Sequence, residues 1–496
     1  MDNIGGRVGI GIIWMVGARL FDRSIGIVST LILARLLVPG DFGLVAMATA
    51  IGAILDLLGA FSFDLALIQN KSAERRHYDT VWTFNVMFGL FCGLCLIALA
   101  HPAAGFYSEP RLENVMYVLS LSYFINAFTN VGLVAFRKDL NFDKEFHFIF
   151  WRRLVTFIIT ITAAFLLRSY WALLLGMTVG RLVSLVMSYR MNDYRPRFSL
   201  AASRELLGFS KWLLLNNILF FMLHRGCTFI IGRLFGASAL GIYAISYEIS
   251  SLPSTELVAP INRVMFPGFS KMRDVAQISQ AFLKLFGLIT LTILPIGIGI
   301  AAVASPLVQT MLGDKWVAAI PVIQLLALHG AIGATQGNNG VVWLALGHPR
   351  ITTGVAALFL VVLFPSLYFF MTAYGVIGVG LAYILAHIVT VPYSTAVSKR
   401  LLGFSWSSFF STLWRPVLGV VLMYAVVRYS DMLLVAHPPL LRLLFDSFTG
   451  ALVYIAVVLL AWRAVGSPGG AEQFVLERVG QGWAKLRRQS PIGKRG

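Results

Sequence analysis

Long apolar segments separated by short polar clusters run along the whole chain. Ile351 to Ser398 contains 48 consecutive residues without Asp, Glu, Lys or Arg, and Leu285 to Ala304 contains another 20. A helix needs roughly 20 apolar residues to cross a bilayer. Because such segments must lie in lipid, the pattern predicts an all-α polytopic membrane protein and excludes a soluble enzyme.

The charge and turn clusters between the apolar segments divide the chain into about fourteen transmembrane helices. The predicted spans are 9–37, 40–69, 78–101, 112–136, 146–167, 170–190, 206–234, 238–266, 276–304, 317–346, 350–372, 375–397, 411–428 and 445–463.

Two stretches, 33–46 and 231–244, match each other at an offset of 198 residues. Four positions are identical: Arg35/Arg233, Leu36/Leu234, Gly43/Gly241 and Ala46/Ala244. The offset covers six predicted spans, an even number, so the two copies point the same way across the membrane. This predicts a parallel repeat. The alternative is that the two segments are similar because each forms the same kind of helical hairpin, without a duplication within the chain.

The repeat predicts two six-helix lobes followed by two C-terminal helices. The N-lobe covers 1–203 (spans 1–6), the C-lobe covers 204–400 (spans 7–12), and 401–466 holds spans 13 and 14. The tail, 467–496, is predicted to be a basic amphipathic cytoplasmic helix, with Phe474, Val475, Val479, Trp483 and Leu486 on its apolar face. In transporters of this kind the substrate site lies near the midplane between the lobes.

Charge refines this picture. Charged residues make up 12% of the chain and the net charge is +18, but no basic block is interleaved with aromatics, so nucleic acid is not an expected partner. With both termini cytoplasmic, 27 Lys and Arg fall in the inner segments and 7 in the outer ones. The positive-inside rule therefore favours that topology.

The chain offers little on which an enzyme active site could be built. Its outer segments are short, and no nucleotide-binding motif occurs. The three cysteines, Cys92, Cys95 and Cys227, lie in apolar stretches without a metal-ligand pattern. We therefore expect a secondary transporter with no catalytic residue, no metal and no cofactor.

Four arginines lie inside predicted spans, where charge is costly and usually marks a substrate path. They are Arg19, Arg23, Arg181 and Arg225. A guanidinium pairs bidentately with phosphate, so these arginines are predicted to bind an anionic group, a diphosphate. The alternatives are a structural pair of Arg19 with Asp22, an Arg181 side chain that extends to the inner surface, and an interhelical pair of Arg225 with Glu248.

Acidic residues also occur at depth. Asp22, Asp56, Asp64 and Glu248 are candidates for ion coupling, and neutralisation of the arginines is the alternative. His329 and His387 are predicted to be isolated, packed and hydrogen-bonded within apolar helices.

Three sequence segments carry a family resemblance. LARLLVPGDFGLVA at 33–46, IIGRLFGASALGIY at 230–243 and APINRVMFPGFSK at 259–271, with FYSEP at 106–110, resemble the polysaccharide-transporter branch of the multidrug/oligosaccharidyl-lipid/polysaccharide (MOP) exporter superfamily. Within it, the chain is most similar to Wzx-type flippases of the colanic acid and xanthan kind. The resemblance covers nearly the whole chain.

The resemblance implies a MOP flippase fold and alternating access in the bacterial cytoplasmic (inner) membrane. The implied substrate is an undecaprenyl-diphosphate-linked oligosaccharide, moved to the outer leaflet for exopolysaccharide or lipopolysaccharide synthesis. Membrane lipids, a polysaccharide polymerase and export machinery are the implied partners. Relatives commonly carry an Asp where this chain has Cys227, which puts ion coupling through span 7 in doubt.

Two other functions compete with the flippase. A cation-coupled multidrug exporter of the same superfamily should have an acidic or aromatic cavity, which the deep arginines disfavour. A membrane-bound polysaccharide polymerase or ligase should have a large outer loop. Spans 13 and 14, which have no partner in the repeat, are predicted to form a hydrophobic groove for the polyprenyl tail.

Overall fold

The computed structural model describes residues 4–58, 67–68, 73–139, 141–203, 211–272, 274–478 and 481. Its long helices are α1 (Ile4–Leu36), α2 (Pro39–Leu58), α3 (Arg75–Tyr107), α4 (Arg111–Ala127), α5 (Val134–Lys138), α6 (Phe142–Leu167), α7 (Trp171–Arg190), α8 (Lys211–Pro253), α9 (Ala259–Lys271), α10 (Val275–Ala302), α11 (Ala304–Met311), α12 (Ala319–Ala345), α13 (Pro349–Tyr374), α14 (Ile377–Leu402), α15 (Trp406–Leu433) and α16 (Pro439–Ala464). Three single turns complete the order: Val131–Leu133, Ser254–Val258 and Asp314–Trp316. These residues contain no strand, which confirms the all-α prediction.

The described helices include many that can cross a membrane. Eleven are long and apolar enough, or twelve if α4 and α5, bent by 64° at a short break, form one span. Helix α1, which carries Arg19, Asp22 and Arg23, is not among them. Gly236, with a φ of 74°, divides α8 into two helices. The chain is therefore a multi-pass membrane protein, and the count of fourteen stays a prediction.

Local sequence signals explain where several helices begin and end. Gly403 ends α14 in the left-handed region at φ 70°, which glycine adopts without steric cost. Two residues later the Ser405 hydroxyl accepts a hydrogen bond from the Ser408 amide at 3.0 Å and starts α15. Asp274 caps the start of α10 in the same way, because its carboxylate accepts a hydrogen bond from the Ala276 amide at 3.0 Å. The short polar clusters thus act as helix boundaries, as the pattern predicts.

The chain forms two compact units. Unit 1 contains 1–244 and 311–315, and unit 2 contains 245–310 and 316–496. In unit 1 one apolar cluster joins the end of α1 to α6 and α7 through Leu33, Leu37, Ala164 and Ala172. In unit 2 a larger cluster is built on packed aromatic rings: Phe282, Phe286, Phe404 and Phe409. The predicted lobes, 1–203 and 204–400, stay predictions.

The two copies of the repeated stretch contact each other within unit 1. A Cβ atom added to Gly43 would lie 1.7 Å from the carbonyl oxygen of Ala237. A Cβ atom added to Gly241 would lie 1.8 Å from the carbonyl oxygen of Pro39. Pro39 and Ala237 are separated by the same 198 residues as the two glycines. The contact is therefore reciprocal, and neither position has room for a side chain.

A buried group of charges joins the end of α15 to the start of α16. Arg442 Nε donates to Asp431 Oδ1 at 3.0 Å, and the Ser430 hydroxyl donates to Asp446. Asp431 and Arg442 are only 6% and 7% exposed. Burial of a charge is tolerated because its partner is buried beside it.

The start of the predicted tail packs on unit 2. Residues 471–478 are helical, and Ala471 and Glu472 are buried. Phe474 lies 4.9 Å from the Lys284 ammonium of α10. The other predicted apolar positions, Val479, Trp483 and Leu486, lie outside the described residues.

Candidate functional site

A cavity of about 460 Å³ lies in unit 1, between α1, α2, α6 and α7. Three arginines line it: Arg152 and Arg153 of α6, and Arg181 of α7. The other lining residues are apolar, glycine or hydroxyl-bearing, and none is charged. The wall therefore concentrates positive charge.

Close packing of α6 and α7 brings these arginines together. A Cβ atom at Gly176 would lie 2.0 Å from Thr160 Oγ1, and one at Gly180 would lie 2.9 Å from Thr156 Oγ1. Glycines four residues apart place a flat strip along one face of a helix and allow close backbone approach in membranes. Arg181 follows this strip directly, so the helix contact fixes its position.

The arginines lie near the middle of their helices. Arg181 is ten residues from the start of α7 and nine from its end, and Arg152 is ten residues from the start of α6. At 1.5 Å per residue, Arg181 lies about 15 Å from either end of α7, half of a hydrocarbon core of about 30 Å. The cavity thus presents cations at a depth where an uncompensated charge is costly.

Asp22 of α1 contacts the cavity from one side. Its Oδ1 lies 3.4 Å from Arg153 Nε. The predicted substrate residues Arg19 and Arg23 flank Asp22 on the same helix but do not line the cavity. Asp22 thus pairs with an arginine of α6, and its alternative pairing with Arg19 stays a prediction.

A polar network adjoins the cavity on the side of α2 and α4. Arg181 Nη1 donates to Asn126 Oδ1 at 3.0 Å, and the Tyr123 hydroxyl donates to Asp56 Oδ2 at 2.9 Å. Asp56 is also within electrostatic range of Arg181. Arg181 therefore makes an interhelical contact rather than extending alone to the surface.

The remaining predicted site residues do not join this cavity. Arg225 is exposed on α8 and is not a lining residue. Glu248 belongs to the part of α8 in unit 2. Asp64 lies outside the described residues. The structure thus brings Arg181, Asp22 and Asp56 to one region of unit 1, and Arg225 does not line the cavity there.

Arg152 and Arg153 are cavity residues that the sequence analysis placed in an inner segment. The predicted span 5, 146–167, contains both residues although they were counted among the inner basic residues; α6 begins at Phe142, one helical turn before the predicted start. The signal that could identify them is the acidic first turn, Asp143 and Glu145, which is typical of a helix N-terminus.

Unit 2 contains an apolar groove of about 740 Å³ between α10, α12, α14 and α15. Phe286, Trp406, Phe409 and Phe410 line part of it. His387 also lines it, and His387 Nε2 lies 2.8 Å from His329 Nδ1. The two histidines are packed and hydrogen-bonded, as predicted, but they are a pair and not isolated.

The arginine cavity has the chemistry of an anion site. Arg152 interacts electrostatically with Arg153, Arg181 and Asp22. Three guanidinium groups and two nearby carboxylates, Asp22 and Asp56, leave a net positive charge, and the planar N–H forks fit phosphate oxygens. Among the residues that the structure describes, no group of three or more metal-ligating side chains occurs.

A family model described as "Polysaccharide biosynthesis protein" matches residues 32–321, more than half of the chain. The chain belongs to this family. The lipopolysaccharide biosynthesis protein WzxC of Escherichia coli (strain K12) is 26% identical over 413 residues, which are 81% of this chain and 83% of WzxC. The succinoglycan biosynthesis transport protein ExoT of Rhizobium meliloti (strain 1021) is 26% identical over 479 residues, which are 91% and 92% of the two chains.

The fold is similar to that of a solved flippase. The lipid II flippase MurJ, in an inward closed conformation, matches with a TM-score of 0.72 and 13% identity, over 92% of this chain and 99% of MurJ. This confirms the MOP flippase fold. Together with the relatives of the polysaccharide biosynthesis family, it confirms the predicted resemblance to Wzx-type flippases.

Proposed function

We propose that this chain translocates an undecaprenyl-diphosphate-linked oligosaccharide from the inner to the outer leaflet of the bacterial cytoplasmic membrane. The product would supply exopolysaccharide or lipopolysaccharide synthesis. The observation that carries the proposal is the cavity lined by Arg152, Arg153 and Arg181. The family, the named relatives and the MurJ-like fold support it.

The charge of the cavity favours this substrate over an organic cation. A diphosphate needs desolvated cations to replace its hydration when it enters the membrane, and arginine keeps its charge there. A cationic drug would meet like charges, which are repulsive in a low dielectric. The multidrug alternative is therefore disfavoured, and the relatives support a transporter rather than a polymerase or ligase.

Deletion of the gene tests the function directly. We expect one surface or secreted polysaccharide to disappear and its lipid-linked repeat unit to accumulate on the cytoplasmic side. The measurement combines analysis of extracellular glycans with mass spectrometry of extracted lipid-linked oligosaccharides. If every surface glycan remains after deletion, the flippase proposal is wrong.

The polyprenyl chain needs an apolar surface, which the polar cavity does not offer. The groove of unit 2 has an aromatic and aliphatic lining and is our candidate. Helix α15 contributes Trp406, Phe409 and Phe410, but no residue of α16 lines it. We therefore propose that the polyprenyl chain binds to α10, α12, α14 and α15, and not to spans 13 and 14 as the sequence predicts.

Filling the groove should block export. Ala396→Trp places an indole among the lining residues, so we expect export to fall to about a tenth or less, because an apolar ligand must occupy this volume. The control is Val361→Trp on α13, whose side chain is 69% exposed. Polysaccharide is measured at matched membrane levels of each variant. Equal export by the two variants would contradict the groove assignment.

The proposed topology has both termini and the 190–211 segment in the cytoplasm. In a variant lacking the three native cysteines, Asp193→Cys should resist a membrane-impermeant maleimide added to intact cells, while His437→Cys should react. Both positions are exposed, so burial does not explain a difference. Labelling of Asp193→Cys without lysis would reverse the orientation.

Alternating access and coupling form the last part of the proposal. To release substrate on the other side, the helices must rearrange, and we propose that the close backbone contact of Gly43 with Gly241 opens in that step. Asp22, Asp56, Asp64 and Glu248 remain the candidates for ion coupling or charge balance. The position of Asp56 near Arg181 favours a role for it in balancing the cavity charge.

A further inference from the structure

A second polar cavity, of about 660 Å³, lies in unit 2, far along the chain from the arginine cavity. It is bounded by α10, α15 and the segment that follows α16. Four charged residues line it: Lys284, Arg415, Glu472 and Glu477. Two cations and two anions therefore face the same space.

Arg415 is the buried cation of this cavity. Its Nε lies 3.0 Å from Glu472 Oε1, and the two side chains are 8% and 6% exposed. Its Nη2 contacts the Ser411 carbonyl at 3.5 Å. Its Nη1 is buried and has no hydrogen-bond partner among the described residues. Because a buried guanidinium N–H without an acceptor is costly, this atom indicates a ligand oxygen.

The other charges lie at the rim. Lys284 is exposed and lies over the ring of Phe474, at 4.9 Å, and Glu477 is exposed on the terminal helix. Glu477 Oε1 accepts one hydrogen bond, from Gln473 Nε2 at 2.7 Å, and keeps further lone pairs for a donor. The rim thus offers one ammonium and one carboxylate beside the buried arginine.

Tryptophans indicate the depth of this cavity in the bilayer. Trp414 lines it, and the Trp462 indole N–H donates to the Pro468 carbonyl at 3.0 Å in the segment that closes it. Tryptophan is enriched where the lipid head groups meet the hydrocarbon. The cavity therefore lies at the level of head groups, where a phospholipid can enter from the side.

We propose that this cavity binds the phosphoethanolamine head group of a membrane phospholipid. The phosphate accepts hydrogen bonds from Arg415 Nη1 and the Lys284 ammonium, and the lipid ammonium donates to Glu477 and to the free oxygen of Glu472. A phosphatidylglycerol head group has no cation that could pair with the carboxylates of Glu472 and Glu477. A choline head group carries no N–H donor. The pairing of opposite charges therefore selects a zwitterion with a primary ammonium.

A bound lipid would join three elements. It would contact α10 through Lys284, α15 through Arg415 and the terminal helix through Glu472 and Glu477. The terminal segment would then depend on lipid for its docking on unit 2. This site is separate from substrate binding, so its test does not depend on the proposed flippase activity.

The test uses the full-length protein, delipidated in detergent, with defined phospholipids added. Native mass spectrometry counts bound lipid, and thermal unfolding reports its effect. We expect phosphatidylethanolamine to be retained at least fivefold more than phosphatidylglycerol or phosphatidylcholine, and to raise the unfolding temperature. Glycerophosphoethanolamine and inorganic phosphate are the soluble probes, and neither should replace the lipid at equal concentration.

Three variants locate the site. Arg415→Gln/Glu472→Gln removes the buried pair without leaving one charge alone, and Lys284→Gln and Glu477→Gln change only the rim. Each should lose at least fivefold in retained phosphatidylethanolamine, while Lys271→Gln, an exposed lysine of α9 outside the cavity, should not. If the double variant fails to fold, the rim variants decide.

Three results would overturn the proposal. Equal retention of the three lipids would mean non-selective contact with the bilayer. Unchanged retention in folded rim variants would place the lipid elsewhere. Saturation by inorganic phosphate alone would identify a free-phosphate site instead.

Discussion

Arg181→Ala is expected to abolish most polysaccharide export. The change removes a guanidinium from mid-depth and with it one or two charge-assisted hydrogen bonds to phosphate, each worth about 1.5–3 kcal/mol, or roughly a 10- to 150-fold loss of affinity. Arg152→Ala should act similarly because it lines the same cavity. Arg181→Lys should recover part of the activity, since it restores a charge without the planar fork.

The measurements are export in a deletion strain that carries each variant, and binding of undecaprenyl diphosphate to the purified protein. Arg350→Ala, at an exposed position at the start of α13, is the matched control. Because Arg181 also interacts with Asp56, the variant Arg181→Ala/Asp56→Asn separates loss of substrate binding from an uncompensated carboxylate. Full export by Arg181→Ala and Arg152→Ala at normal protein levels would rule out the cationic cavity as the substrate site.

The same export assay distinguishes the arginines that were expected from the sequence. Arg19, Arg23 and Arg225 do not line the cavity. If substrate enters through another conformation, their Ala variants should lose export as severely as Arg181→Ala. If the cavity of unit 1 is the whole phosphate site, their effect should be smaller than that of Arg152→Ala.

Gly43→Val is expected to destabilise the protein strongly. The added Cβ would lie 1.7 Å from the Ala237 carbonyl oxygen, so one helix backbone must move. Overpacking typically costs 1–3 kcal/mol, and we expect the upper end, about 3 kcal/mol, with an unfolding temperature lower by roughly 5–10 °C. Gly241→Val should be equally damaging because the contact is reciprocal.

Gly40→Ala is the matched control in the same turn, because a Cβ atom there would meet no atom within 4 Å. Unfolding of the purified variants is followed by intrinsic fluorescence in one detergent. Gly43→Ala adds only the Cβ atom, so it should lower the unfolding temperature less than Gly43→Val does. Unfolding temperatures for Gly43→Val and Gly40→Ala that agree within error would show that the close contact does not stabilise the protein.

The sequence predicted the helical architecture well because its signals are local. Apolar length, Gly403 and the Ser405 cap mark boundaries within a few residues of the chain. The matching glycines Gly43 and Gly241 were also visible as a repeat. That they contact each other was not visible, because a repeat records similarity between two segments and not the distance between them.

The candidate site was predicted less completely, for the same reason. Arg181 was identified from its depth in one span, but Arg152 and Arg153 were counted among the inner basic residues although they lie within the predicted span 5. Their contact with Asp22 and their grouping with Arg181 depend on which helices pack together. The strip of Gly176 and Gly180 fixes that packing. The sequence shows the two glycines but does not show which helix packs against them.

The charge pair between α15 and α16 bears on how the protein enters its membrane during synthesis. Helix α15 carries Asp431 and helix α16 carries Arg442, and each lies buried against the other. A nascent α15 alone offers Asp431 only Arg428, on the same helix at 3.7 Å, whereas the hairpin adds the buried Arg442. We therefore expect α15 and α16 to leave the insertion machinery together, as one hairpin.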